Sequence, residues 1–182
     1  MGINIDRTVY TGRPEQIGRL DKENRTYDVL EQQGISFARL DHDATATIDD
    51  CHEVDQLLQI KICKNLFLCN SQKTKFYLLM ISGNKMFKTK DLSSQIGTAR
   101  LSFAAPEYME KFLDITPGSV SVMGLINDTD NQVQLLIDKD ILNDEYIGCH
   151  PCINTSSIRI KTEDLLNKFL PYINHEPIMV EL

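Results

Sequence analysis

Two apolar runs, Ile62–Leu68 and Phe76–Ile81, lie either side of the polar stretch Asn70-Ser-Gln-Lys. Runs of that length bounded by turn residues are strand signals, and the short polar spacer folds them back on each other as a β-hairpin. Asp21–Gln33 has apolar positions three apart and is followed by Gly34, a residue free to take the positive φ of a helix C-cap. Ile35–Leu40 alternates as a half-buried strand, and Thr47-Ile-Asp-Asp opens a helix reaching about Leu58. Short helices are predicted over Lys90–Ile96 and Pro106–Leu113, the second with proline in its first turn, and Pro117-Gly118 marks a turn. Val133–Ile137 and Ser156–Ile160 are further strands. Glu163–Leu170 is a helix with Leu165, Leu166, Phe169 and Leu170 inward, ended by Pro171. No regular βαβ rhythm emerges, which predicts an α+β fold with a largely antiparallel or mixed sheet. Residues 1–20 read as an arm and 21–182 as one domain.

The chain has 182 residues, 42% hydrophobic and 25% charged. These values exclude a disordered tail, a collagen-like chain and a coiled-coil rod. No run reaches the roughly 18 apolar residues of a membrane span, and Met1-Gly-Ile-Asn-Ile-Asp lacks the basic and apolar regions of a secretory signal. Five cysteines, an odd number in a chain long enough to bury a core, predict reduced thiols and a cytoplasmic protein.

Net charge is −7, but it is unevenly placed. Residues 61–100 hold eight cations (Lys61, Lys64, Lys73, Lys75, Lys85, Lys88, Lys90 and Arg100) against Asp91 alone, so this stretch carries +7 and the remainder −14. Such a split predicts a cationic face for a polyanion on an acidic body. A solvated, lysine-rich hairpin is the alternative. Lys64, flanked by apolar residues in Ile62-Cys-Lys-Asn-Leu-Phe-Leu, is either an edge lysine or a poorly hydrated ammonium in want of an anion.

Gly118-Ser-Val-Ser follows Pro117, and small residues there can leave backbone N–H groups free to hold an oxyanion. Cys149-His-Pro-Cys152 contains C-x-x-C but has no second pair to complete a zinc site, and it does not open a helix as a thioredoxin motif does. P-loop, G-x-G-x-x-G and G-x-S-x-G motifs are absent.

Lys64-Asn-Leu-Phe-Leu, Gly97-Thr-Ala-Arg-Leu-Ser-Phe-Ala, Thr116-Pro-Gly-Ser-Val, Gly124-Leu-Ile-Asn-Asp and His150-Pro-x-x-Asn154-Thr155 occur in that order. Together they resemble the YbaK/ProX family, free-standing relatives of the bacterial prolyl-tRNA synthetase editing domain, over about Glu23 to Phe169. The resemblance is closest to the prolyl-tRNA synthetase associated, or PrdX-like, branch. It implies a barrel-like sheet core flanked by helices and hydrolysis of mischarged aminoacyl-tRNA, typically alanine on the proline tRNA, without a covalent intermediate. Lys64, Gly118 and His150 take the catalytic positions. Thr47, Ser119, Val120, Ser121, Val122, Asn154 and Thr155 take substrate-binding ones, with Val122 where the family's G-x-x-x-P loop has proline.

The segment His42–Thr47 departs from the family pattern at its prolines and aromatic position. Lys61, Lys73, Lys75, Lys85, Lys88 and Arg100 are expected to attract the tRNA acceptor stem. The expected partners are tRNA and prolyl-tRNA synthetase, with no metal, cofactor or membrane, for a monomer or homodimer. A relative that senses aminoacyl-tRNA or a free amino acid without catalysis is the alternative.

Overall fold

The computed structural model describes residues 3–44, 48–61 and 63–182, with 48–51 described by backbone alone. Among the described residues nine strands form two sheets. β1 (Tyr10–Thr11), β2 (Phe37–Asp41), β8 (Ser156–Lys161) and β7 (Tyr146–Cys149) form an antiparallel sheet in the order β1-β2-β8-β7. β5 (Leu101–Phe103), β3 (Cys63–Asn70), β4 (Phe76–Ser82), β6 (Val133–Asp138) and β9 (Ile178–Val180) form a larger sheet in the order β5-β3-β4-β6-β9, with β4-β6 and β6-β9 parallel. This is the expected α+β domain with a mixed sheet. The barrel-like core is corrected: the edge strands are not joined, so both sheets stay open.

The hairpin forms as expected, with Cys69 opposite Phe76 and Lys64 opposite Ile81. Asn70 builds its turn, because its Oδ1 accepts from the amides of Thr74 (2.8 Å) and Lys75 (3.0 Å). Odd-numbered β3 residues Phe67 and Cys69 enter a core shared with the small sheet (Phe37, Ile147, Ile158) and with Tyr27 and Leu30 of α1 (Asp21–Gln32). Even-numbered Leu66 and Leu68 enter a second cluster with Leu79, Ile81 and Leu92 of α3 (Thr89–Gln95). Val54 and Leu58 of α2 (Ile48–Leu58) pack on Ala38 and Leu40, on the other face of the small sheet. Gly34 takes the left-handed cap after α1 (φ +62), with the Ile35 amide donating to Leu30 O at 2.8 Å.

Two differences from the pattern the sequence predicts have physical causes, one local and one tertiary. Pro171 does not end the last helix: α5 (Thr162–Asp164), a π turn (Leu165–Phe169) and α6 (Leu170–Tyr172) run on as one helical stretch. The widened turn just before Pro171 relieves the clash its ring makes with the carbonyl four residues back in a regular helix. β7 is not among the strands the sequence predicts, because Gly148 and the Cys-His-Pro sequence break any alternation. Gly148 is there because Ile60 packs against its backbone, and an added Cβ would come within 2.0 Å of the Ile60 Cδ1.

Candidate active site at the polar end of the small sheet

The end of the small sheet where β2 stops, β7 stops and β8 starts replaces apolar alternation with His42, His150, Ser156 and Ser157. Register brings them together: Asp41 lies opposite Ser156 and Leu40 opposite Ser157, while β7 ends at Cys149 opposite Ile158. The His42 and His150 rings sit 6.2 Å apart.

Their hydrogen bonds define where the protons are. A backbone carbonyl only accepts, so the Nδ1 of His42 donates to Asp43 O (2.8 Å) and the Nδ1 of His150 to Ser156 O (2.8 Å). Ser157 Oγ donates to His42 Nε2 at 2.9 Å and turns a lone pair towards His150 Nδ1 at 3.4 Å. Burial pulls the His150 pKa down to about 4 and lowers that of His42. At neutral pH His150 is therefore an uncharged imidazole protonated at Nδ1, and its Nε2 is an acceptor.

The glycine loop is bonded to this histidine. Ser121 Oγ donates to His150 O at 2.6 Å and accepts from the Met123 amide at 3.1 Å, capping the 3₁₀ helix Val122–Asn127. The Val122 amide donates to Asn65 Oδ1 at 3.1 Å. A proline at 122 has no N–H for that bond, so here a hydrogen bond to β3 anchors the loop where the resemblance leads one to expect a rigid ring. Ser119 N is engaged by Thr116 O at 3.0 Å. Among the described residues this leaves the amides of Gly118, Val120 and Ser121 without acceptors, and Gly118 is exposed with φ +87.

The structure brings Gly118, Ser119, Val120, Ser121 and Val122 together with His150, Asn154 and Thr155, on two loops joined by the Ser121 bond. Ser119, Asn154 and Thr155 also line a cleft of about 370 Å³. Thr47 lies outside the described residues. Lys64 is adjacent to Asn65 on β3, and alternation sends the two to opposite faces. Asn65 reaches the loop, whereas Lys64 lies beside Ile81 and donates from Nζ to Lys85 O at 3.2 Å. An ammonium has three donors, so this single bond leaves Lys64 able to bind an anion.

The other cations divide between the hairpin's ends. Lys73 and Lys75 are exposed at the tip with Arg100 nearby, since Asn70 pairs with Leu101. Lys61, Lys85 and Lys88 belong to the Lys64 end, where Lys61 pairs with Asp144, and Lys85 with Asp138 and Asp140 (2.7 Å each).

No sequence pattern singles out Asn65, Ser157 or Asp55. Asn65 was readable only as the neighbour of Lys64. Ser157 was hidden inside a predicted strand. Burial raises the Asp55 carboxyl to about 7, and its Oδ2 is enclosed without a hydrogen-bond partner among the described residues. Burial also pushes the Cys63 thiol to about 12, Cys152 to about 11 and Cys149 upwards, so these thiols stay protonated. Cys152 accepts from Thr26 Oγ1 (3.5 Å) while Cys149 lies beside Ser121, which separates the two ends of the C-x-x-C.

An α+β domain of two open sheets, with a neutral imidazole bonded to a glycine loop at one end, is the class that fold and site define. Residues 42–168 match the model of the aminoacyl-tRNA editing domain, and the chain belongs to that family. It is 29% identical to the prolyl-tRNA editing protein ProX of Acetoanaerobium sticklandii over 146 residues, 80% of this chain and 89% of that one. It is 24% identical to prolyl-tRNA synthetase associated domain-containing protein 1 of Danio rerio over 166 residues, 90% of this chain and 89% of that one. A crystal structure of a candidate trans-editing enzyme for prolyl tRNA synthetase superposes with a TM-score of 0.65, covering 91% of this chain and 99% of that one at 15% identity, a likeness of fold. Among the described residues no helix is long and apolar enough to cross a membrane.

Proposed function

We propose that this protein hydrolyses the ester between a non-cognate amino acid and tRNA, acting in trans on the errors of prolyl-tRNA synthetase, with alanine on the proline tRNA as substrate. The observation that carries this reading is the 2.6 Å bond from Ser121 to His150 O, which sets a loop with unengaged amides beside a histidine held neutral. The family match and the printed name of the Acetoanaerobium relative support the same chemistry.

An aminoacyl ester is already activated, so water suffices as nucleophile. The buried, protonated thiols of Cys63, Cys149 and Cys152 are poor alternatives to it. Water adds to the ester carbonyl, and the amides of Gly118 and Val120 stabilise the resulting oxyanion. A ribose hydroxyl of the substrate relays the water's proton. Collapse breaks the bond to the esterified ribose oxygen, which takes a proton as the free amino acid leaves.

In this reading the Nε2 of His150 accepts a hydrogen bond from the substrate's α-ammonium, a positioning role that a protonated imidazole could not fill. Lys64 holds the phosphate of the terminal nucleotide. The tip cations Lys73, Lys75 and Arg100 contact the acceptor stem further along, since six residues of strand span roughly 20 Å. Affinity for one methylene discriminates only roughly 10- to 200-fold, so proline has to be excluded by size.

The test is incubation with alanyl- and prolyl-tRNA of the proline isoacceptor. Release of alanine alone is expected. Hydrolysis of neither ester would leave a binding module, and equal hydrolysis of both would remove the discrimination.

A further inference from the structure

The cleft lined by Ser119, Asn154 and Thr155 is also lined by residues that precede the family match. Gly18, Arg19, Lys22 and Glu23, at the start of α1, form this part of the wall, whereas the matched region begins at residue 42. The cleft's volume of about 370 Å³ falls in the range of small-ligand sites, roughly 300–1,000 Å³. Thr116, Ser119 and Thr155, from the same two loops that hold His150, also line it.

Its charge is uneven. Arg19 donates to Glu23 (2.7 Å) and to Asp41 (2.7 Å), and Asp41 also takes a bond from Arg39. Burial works to raise the Asp41 carboxyl, but the bonds from Arg19 and Arg39 outweigh it and hold it at about 2. Those four charges cancel in a partly buried network. Lys22, half-buried on the cleft wall, has no acidic partner among the described residues, which leaves the cleft one uncancelled positive charge in a lining that includes hydroxyl-bearing residues. That combination suits a phosphodiester: a monoanion with several acceptor oxygens and no need of an apolar floor.

We propose that this cleft is a phosphodiester subsite for the acceptor strand, in which Lys22 and the hydroxyls of Thr116 and Thr155 hold a backbone phosphate upstream of the esterified adenosine. It rests on the reading of the protein as an aminoacyl-tRNA deacylase. The N-terminal segment, outside the family match, thereby becomes part of the substrate site. Arg19, engaged on both sides, shapes the wall rather than contacting RNA.

The direct test is fluorescence anisotropy with an uncharged RNA hairpin carrying the acceptor stem and its single-stranded 3′ end. Lys22→Gln is expected to weaken binding roughly fivefold at low salt and to reduce the slope of log affinity against log salt by about 1, the loss of one phosphate contact. Lys22→Arg is expected to keep both, showing that charge and not packing is at work. Unchanged affinity and slope in Lys22→Gln overturns the subsite.

A second arm uses hydrolysis. Lys22→Gln should raise the KM for alanyl-tRNA but leave turnover of alanyl-adenosine, which has no phosphodiester, at the wild-type rate. Equal loss on both esters also overturns the subsite. A wild-type protein that hydrolyses neither ester defeats the deacylase reading, and the hairpin titration still decides the cleft.

Discussion

The loops around His150 and the lysine-bearing hairpin are both polar, yet they hold their polarity differently. Around His150 nearly everything is neutral: two imidazoles, two serines and the Val122 amide each have a geometric partner, and the loop amides left open carry no formal charge. On the hairpin the polarity is formal charge, split between two ends and partly cancelled by Asp138, Asp140 and Asp144. The difference separates two tasks. Chemistry on a small ester needs fixed dipoles and defined proton positions, which survive salt. Attraction of a polyanion needs uncancelled charge, which acts at range and is screened.

The largest expected effect lies on the hairpin, at Lys64. Lys64→Ala should lower kcat/KM for alanyl-tRNA roughly 100-fold or more, the scale of a lost positioning contact, while circular dichroism stays native. Retained turnover would detach the hairpin from the chemistry.

A pH titration probes the neutral side. The folded pKa of His150 is about 4 against an ordinary 6.5, so between those values the unfolded chain binds the proton that the folded one refuses. Stability contributed here is complete above pH 6.5 and is lost as pH falls towards 4, by up to about 3 kcal/mol. Asp55 works with the opposite sign, because its carboxyl is raised to about 7 and its burial costs more as pH rises through that value. Urea unfolding at pH 8 should find Asp55→Asn about 1–3 kcal/mol more stable than wild type, with the gain fading at pH 4. The same urea curve at both pH values would show that this carboxyl is hydrated after all.

Gly124→Ala tests the packing beneath the glycine loop. A Cβ there lies 2.4 Å from Ile115 Cδ1 and 3.2 Å from Leu113 O, and the expected cost is about 1–3 kcal/mol. A shift of the urea midpoint with an unchanged KM is the predicted signature. Smaller again is Asn65→Ala, which frees the Val122 amide and should cost about 1 kcal/mol, with kcat falling more than KM rises. A pure KM effect would assign Asn65 to binding and not to loop anchoring. The smallest effect is expected from Lys73→Ala with Lys75→Ala, which should weaken full-length tRNA severalfold at low salt and leave alanyl-adenosine untouched.

Much of the frame was legible in the chain. The hairpin, the helix ended by Gly34, the Pro106 helix and the strands at 133 and 156 follow from local pattern, and the structure keeps them. β7 was not legible, because a strand carrying Gly148 and ending in Cys-His-Pro breaks alternation for a tertiary reason, the Ile60 side chain lying on it. Nor did the linear charge of residues 61–100 translate into one face. A hairpin places sequence neighbours at its two ends, and ion pairs come from acids far away in the chain, such as Asp138 for Lys85.

By itself the sequence determined the α+β class, the imbalance of +7 against −14 and the loop of small residues after Pro117, because these depend on composition and on spacing within a few residues. Only the tertiary structure decided which nitrogen of His150 carries the proton, that Asn65 and not Lys64 touches the glycine loop, and that the start of α1 walls a cleft beside it. Each of those depends on partners brought together by sheet register, as His42 and Ser157 are across 115 positions, and no local pattern encodes such a meeting.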